Sequence, residues 1–451
     1  MSNVKSKKRE NWASRFGFIM ATAGFAIGLG NIWRFPYMVG MNGGGAFLFL
    51  YFAICIVICI PLFISEISLG RKAQENPIMG MRKIEGKGSF WVSIGWTGTI
   101  AVFLIMTYYP MVIGSVISYF FKISFSQFDG ASVEEIGLVY KNFMSNPTQL
   151  IAYTVLALGI TGIIATKGIE KGIEKACKYM MPALFIMLIV LAIRSLTLEN
   201  SIDGLRWYLT PDFSKINGSV ALAALGQAFF SVGIGMASAF VYGSYLSPKT
   251  TDVPKDSILV VIFDTAVAFI SGLVIFPALF AFGMSPDAGP GLLFITMPKL
   301  FSKIPFGNFF GGMFFFLITL AGITSALGFL EPVASTVEGI FKVSRKKAVW
   351  YSIGAMFLVG MGPILSQGPW SHIKILGRDL FGLVDFVSGN ILLTLCALLI
   401  SIYTAYVWKF EKFMEDTNIG STNIKVSNSW RFIVKYIVPI AVGIIMITGI
   451  F

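Results

Sequence analysis

Few residues in this chain could do chemistry, and they sit in apolar surroundings. Asn31, Ser231, Asp264, Thr324 and Ser325 offer amide, carboxylate and hydroxyl oxygens among Ile, Phe, Ala and Val. Hard oxygens gathered in number suit a hard cation such as sodium. Two glycine runs, Gly24-Phe-Ala-Ile-Gly28-Leu-Gly30 and Gly233-Ile-Gly235, could free backbone carbonyls to join them. A single membrane serine or threonine usually bonds a carbonyl of its own helix, so the grouping carries the reading rather than any one hydroxyl. Arg34, Glu66, Asp264, Glu331 and Asp385 also fall within or near apolar stretches. Each costs a few kcal/mol on insertion scales and therefore marks function by default. Asp264, between Phe263 and Thr265, has no nearby partner in the sequence and needs a cation or a proton.

Enzyme chemistry finds little support. The one histidine, His372, falls in a polar connection, and no nucleophile elbow or metal-type His and Cys spacing occurs. Cys55 and Cys59 lie one helical turn apart but among Ile and Val, and with Cys177 and Cys396 they read as small core residues. The glycines around position 28 neither follow a strand nor open a βαβ unit, so they are not a dinucleotide fingerprint.

The elements that must position these oxygens are membrane helices. Hydrophobic residues make up 55% of the 451 positions and charged ones 13%, about half the charged share of a soluble globule. Runs such as Phe47 to Ile64 are apolar without alternation, which excludes transmembrane strands. Apolar stretches long enough to span a core of about 30 Å predict eleven helices, over 13–38, 45–70, 90–121, 148–166, 177–194, 219–246, 256–282, 307–340, 346–364, 379–407 and 431–450. The expected fold is all-α and polytopic, in one membrane domain with 1–12 as a cytoplasmic segment. No removable signal peptide is expected, because Lys5, Lys7, Lys8 and Arg9 precede no cleavage pattern.

Most of the 35 Lys and Arg fall on one side if the N-terminus is cytoplasmic, notably Arg71, Lys72, Arg82, Lys83, Lys87, Lys167 to Lys178 and Lys342 to Lys347. The positive-inside rule then predicts an inner N-terminus and an outer C-terminus in a plasma membrane. The net charge of +12 is explained by contact with the inner leaflet and calls for no nucleic acid. Arg34 and Asp385 would close the outer ends of helices 1 and 10 as an ion pair.

The two glycine-interrupted spans are five helices apart. Discontinuous helices at matching places in two halves point to a midplane transport site between inverted repeats. The repeats would be helices 1 to 5 (13–199) and 6 to 10 (218–407), since an odd number of helices turns the second half over; helix 11 (431–450) is an addition.

The runs Trp12-Ala-Ser-Arg-Phe-Gly17 and Gly24-Phe-Ala-Ile-Gly-Leu-Gly-Asn-Ile-Trp-Arg-Phe-Pro36 closely resemble the neurotransmitter:sodium symporter family. So do Asn42-Gly-Gly-Gly-Ala-Phe47, Gly226-Gln-Ala-Phe-Phe-Ser231, Ala321-Gly-Ile-Thr-Ser325 and Val384-Asp-Phe386, and the likeness spans essentially the whole chain. The resemblance implies a leucine-transporter-like fold with helices 1 and 6 unwound at the midplane, and two sodium sites. One would use the Ala26 carbonyl, Asn31, Ser231, Asp264 and the substrate carboxylate. The other would use carbonyls of Gly24, Ile27 and Ala321 with the hydroxyls of Thr324 and Ser325. It further implies a pocket lined by Phe25, Ala26, Leu29, Gly30, Ile105, Tyr109, Phe230, Ser231, Gly233, Met236, Ser325 and Phe329, with Tyr109 holding the carboxylate. Amides near Leu29 and Gly30, at the positive end of a half-helix, suit the same anion.

Within the family, monoamine carriers place an aspartate where this chain has Gly28, so glycine leaves the carboxylate to the substrate. The implied cargo is a neutral L-α-amino acid, hydrophobic or aromatic because Phe25, Phe230, Met236 and Phe329 offer apolar surface; about 100 Å² removed from water is worth about 2.5 kcal/mol. Asp264 stands where chloride-dependent members have asparagine, and Ala268 where they have a serine, which implies transport without chloride. The family's inner-gate aspartate is Gly339 here, with Glu338 beside it as a substitute partner for Arg9. Most members have twelve helices rather than eleven. The implied mechanism is alternating access, with Arg34, Gln227 and Asp385 as the outer gate and Arg9, Glu338, Ser244 and Tyr245 as the inner one. A channel or sensor that binds an amino acid without coupled flux, and a monoamine or osmolyte carrier, are the rival readings.

Overall fold

A computed structural model describes residues 10–249, 251–286 and 289–450. Among them all extended regular structure is helical; the only strand-like pairings are isolated bridges of Gly44 with Pro211 and Ile375 with Arg378. Nine helices are individually long and apolar enough to span a membrane: α2 (Gly45–Ala73), α3 (Phe90–Ser124), α4 (Pro147–Ala165), α5 (Ile169–Leu196), α7 (Val253–Ala281), α8 (Gly307–Phe341), α9 (Arg345–Leu365), α10 (Leu380–Val407) and α11 (Asn428–Gly449). The two remaining stretches are broken. In α1, the segments Arg15–Ala26 and Gly30–Met41 meet at a 53° bend. In α6, Gly218–Val232 is followed by Ser238–Ser244.

Backbone chemistry explains both breaks. Ile27 leaves the helical region at φ −72° and ψ 105°. In α6, Gly233 (φ 75°), Gly235 (φ 79°) and even Ala237 (φ 55°) are left-handed, which no right-handed helix can pass through and which glycine tolerates best.

Hydropathy misplaces one long boundary. Helix α5 begins at Ile169 instead of 177, its first turns being of the wider π type and carrying Glu170, Lys171 and Glu174; the charges hide the start from an apolarity reading. Connections that look merely polar contain the short helices Pro77–Glu85, Val133–Met144, Ser201–Leu209, Thr296–Lys303 and Phe410–Thr417. Two of these follow legible start signals, Asn76 before Pro77 and a capping box of Ser132 with Glu135.

Helix α1 packs in the middle of the molecule, against α5, α7 and α8, while the second segment of α6, Ser238–Ser244, lies against α2. That last crossing is tight: a Cβ on Gly70 would sit 1.8 Å from the Phe240 carbonyl oxygen, and one on Gly243 would sit 2.3 Å from that of Ile67. Small residues on both helices let the backbones touch, the usual route to helix association in lipid. The broken segments are thereby clamped between continuous helices.

Candidate functional site

The breaks bring distant oxygens together. Asn31 Nδ2 donates to Ser231 Oγ at 2.9 Å, to Asp264 Oδ1 at 2.7 Å and to the Asp264 carbonyl at 3.0 Å, while its Oδ1 accepts from the Gly28 amide at 3.0 Å. Ser231 Oγ donates to Asp264 Oδ2 at 3.0 Å and accepts from the Tyr51 hydroxyl at 3.1 Å. All four side chains are buried. Asp264 thus has neighbours from α1 and α6 that no local reading of the sequence could supply. Tyr51 was not among the residues singled out above; the one signal for it is a hydroxyl inside the apolar run 47–64, which once buried needs a partner. The set, a carboxylate, a carboxamide and a hydroxyl beside the carbonyl end of a broken helix with Ala26 buried there, has the chemistry of a hard-cation cradle.

A second group lies on the other side of the α1 break. Ser325 Oγ is 3.2 Å from the Ile27 carbonyl and 3.4 Å from that of Gly24, and Thr324 Oγ1 is 3.0 Å from the Ala321 carbonyl. A Cβ on Gly24 would come within 3.2 Å of Thr324, so the absence of a side chain lets α1 and α8 approach. Gly24, Ile27, Ala321, Thr324 and Ser325 are therefore one constellation.

Between the two groups, the Tyr109 hydroxyl sits beside Ser325 and the Leu29 backbone, its ring packed edge-on to Phe329 at 5.3 Å. A Cβ on Gly28 would lie 2.5 Å from Ser325 Oγ and 3.1 Å from the Tyr109 hydroxyl. Phe25 fills the room that Gly233 leaves: a Cβ there would meet the Phe25 ring at 2.8 Å and the Met236 sulfur at 3.5 Å. Ile105, one turn before Tyr109, is buried with Ala26, Leu29, Gly30 and Met236, and Phe230 packs beside Gly30. Above this floor a cavity of about 430 Å³, lined by Leu29, Tyr109, Phe230, Arg34 and Asp385 among others, leads away from the site.

The expected outer ion pair is not made. Arg34 Nη1 donates to Gln227 Oε1 at 2.9 Å and its guanidinium lies 4.9 Å from the Phe230 ring centre. Asp385 instead accepts from the Tyr108 hydroxyl at 2.8 Å. The cavity lies between them, and each charge has found a neutral partner on its own wall; Gln227 is fixed for this by donating to the Gly30 carbonyl at 2.9 Å.

The opposite end, where residues 12–14 meet α5 and α6, is shut by contacts that the sequence reading largely missed. Arg9, the expected partner of Glu338, lies outside the described residues. Ser244 Oγ bonds the Val241 carbonyl of its own helix at 2.5 Å, while the Tyr245 hydroxyl donates to Glu331 Oε1 at 2.6 Å. Arg345 grips both oxygens of the same carboxylate, which gives intramembrane Glu331 its counter-charge. Trp12 docks on α6, its ring nitrogen donating to the Tyr242 carbonyl at 3.0 Å and its amide to that of Tyr245 at 3.3 Å. Buried Glu174 accepts from the Ala13 amide and the Ser14 hydroxyl, both at 2.8 Å, and pairs with Lys178 at 2.7 Å. A carboxylate on α5 thus caps the start of α1.

The chain as a whole is similar to known proteins. The chain is 37% identical to MhsT in its crystal structure with L-phenylalanine, matching at a TM-score of 0.89 over 98% of this chain and 100% of that one. A sodium-dependent transporter of Bacillus subtilis (strain 168) is 36% identical over 445 residues, 98% of each chain. One of Haemophilus influenzae is 36% identical over 460 residues, 99% of this chain and 100% of the relative. The all-helical architecture with two broken spans is accordingly the leucine-transporter-like one. With the family's sequence profile matching residues 9–129 and 133–451, the chain belongs to the sodium:neurotransmitter symporter family.

Proposed function

We propose that this protein imports a neutral, hydrophobic or aromatic L-α-amino acid by sodium symport through alternating access, without chloride. The observation that carries the reading is the convergence of Asn31, Ser231 and Asp264 on one side of the α1 break with Gly24, Ile27 and Ser325 on the other. Related MhsT, crystallised with L-phenylalanine, supports the substrate class.

One sodium ion would be held by the Ala26 carbonyl, Asn31, Ser231, Asp264 and the substrate carboxylate. A second would be held by the carbonyls of Gly24, Ile27 and Ala321 and the hydroxyls of Thr324 and Ser325. Tyr109 and the amides near Leu29 and Gly30 would bind the carboxylate, and Phe25, Ile105, Phe230, Gly233, Met236 and Phe329 the side chain. Each charge crossing a 100 mV potential contributes about 2.3 kcal/mol, so two ions suffice for steep accumulation.

Chloride is dispensable in this reading because Asp264 carries a fixed negative charge at the first site, with Ala268 one turn later offering no hydroxyl. The single-domain arrangement of repeats 13–199 and 218–407, and an inner N-terminus with an outer C-terminus, belong to the same proposal. Reconstituted protein tests it: a sodium gradient should drive accumulation of phenylalanine or leucine equally well in chloride and gluconate. Equilibration without concentration would point to a channel, and a strict chloride requirement would refute the assignment to Asp264.

A further inference from the structure

The glycine at the α6 break leaves room beside the candidate pocket, and the protein fills that room itself. Gly233 is left-handed, with φ 75°, and carries no side chain. A Cβ there would stand 2.8 Å from Phe25 Cε2, 3.4 Å from Phe25 Cδ2 and 3.5 Å from the Met236 sulfur. One edge of the Phe25 ring therefore lies against the backbone at the break, in the space that a side chain at position 233 would take.

The base of the same side chain is held as closely by α8. A Cβ on Gly328 would come 2.1 Å from Phe25 Cβ and 3.0 Å from its Cγ, and the Gly328 carbonyl accepts from the Ser238 hydroxyl of α6 at 2.9 Å. The ring stacks on Phe63 of α2 at 6.0 Å and meets Tyr242 of α6 edge-on at 5.5 Å. Moving it displaces backbone or another aromatic ring, which a close-packed interior resists. Met236 differs, because its flexible chain can adapt to what lies beside it.

Phe25 thus reaches from α8 to α6 across one wall of the candidate pocket. Ser325, Gly328 and Phe329, spaced three and four apart, share one face of α8. Ser325 meets the Ile27 carbonyl at 3.2 Å, and Phe329 packs on Tyr109 at 5.3 Å. A substrate whose carboxylate is held at Tyr109, with its side chain between Phe329 and the α6 break, runs into Phe25 at the far end. A leucine side chain ends at its δ-carbons, whereas a phenylalanine ring continues to its ζ-carbon and tryptophan is wider still. In an apolar pocket a misfit of this kind discriminates by about tenfold or more.

We propose that Phe25 is the size limit of the substrate pocket and makes the preferred cargo a branched aliphatic amino acid of about leucine's bulk, with aromatic side chains disfavoured. The inference rests on the symport reading and narrows its substrate class; related MhsT was crystallised with the larger L-phenylalanine.

Competition for labelled leucine on the purified protein in sodium tests it. Leucine should bind at least about tenfold more tightly than phenylalanine, and tryptophan should bind more weakly again. Phe25→Ala removes the wall and should shift the ratio of the leucine and phenylalanine affinities toward phenylalanine by about tenfold or more. Phe25→Leu keeps much of the packing and should shift it less, in the same direction. A ratio compares two ligands on the same folded protein, so a general loss of stability does not move it. Phenylalanine binding as tightly as leucine in the unaltered protein, or a ratio unmoved by both substitutions, would overturn the size limit and leave the symport reading standing. No sodium-dependent binding of either amino acid would overturn that reading, and the size limit with it.

Discussion

Arg34 and Asp385 face one cavity without touching, the first held by Gln227 at 2.9 Å and the second by the Tyr108 hydroxyl at 2.8 Å. Meanwhile Trp12, Glu174 and the Tyr245–Glu331–Arg345 network seal the opposite end. The structure therefore has an unmade pair at one end and a closed opposite end. An ion pair between them would require both residues to exchange partners, a switch from neutral hydrogen bonds to a charged one.

Asp264→Asn keeps the shape of the first oxygen group and removes its charge. We expect the sodium requirement for uptake to rise about tenfold or more, equivalent to about 1.4 kcal/mol, and chloride to restore part of the activity. Initial rates across sodium titrations in chloride and gluconate measure this; an unaltered sodium dependence would count against Asp264 as a ligand.

Glu174→Ala should free the start of α1. The residue accepts two hydrogen bonds from residues 13–14, and charge-assisted bonds are worth about 1.5–3 kcal/mol each. The inward-open fraction should increase about tenfold or more, read as faster thiol labelling of Val241→Cys on the inner half of α6. Glu174→Gln, which retains one acceptor, should have a smaller effect.

Gly28→Asp should not turn the protein into an amine carrier. Its Cβ would lie 2.5 Å from Ser325 Oγ, so Ser325 must move away from the Gly24 and Ile27 carbonyls. Amino acid uptake should fall by about tenfold or more, the scale of a lost ligand contact, with no gain of serotonin binding. Competition against labelled phenylalanine reads both outcomes.

Arg345→Ala leaves the Glu331 carboxylate, fully buried, with the Tyr245 hydroxyl as its one side-chain partner among the described residues. Removing one partner of a buried pair costs about 3–5 kcal/mol, so the melting temperature in detergent should drop markedly. The double change with Glu331→Gln should recover much of that loss, because no uncompensated charge remains.

The eleven apolar stretches, the all-helical class and the two glycine breaks were legible from the sequence. Membrane thickness sets the length of a span, and the glycines of the sixth stretch permit the left-handed backbone that breaks it. Family motifs also named most of the residues that the fold gathers around the α1 break. Tertiary structure alone decided the partners. Tyr51 reaches Ser231 across a sequence separation of 180, and Glu174 reaches Ala13 across 161, distances over which no periodicity carries information. It also decided that Arg34 and Asp385 stand apart, because a charge near lipid accepts whichever donor or acceptor the packing brings within hydrogen-bond reach. Glu331 shows the same rule: its sequence neighbours are apolar, and its counter-ion arrives from the next helix, where the chain folds back and burial leaves the carboxylate no water to turn to.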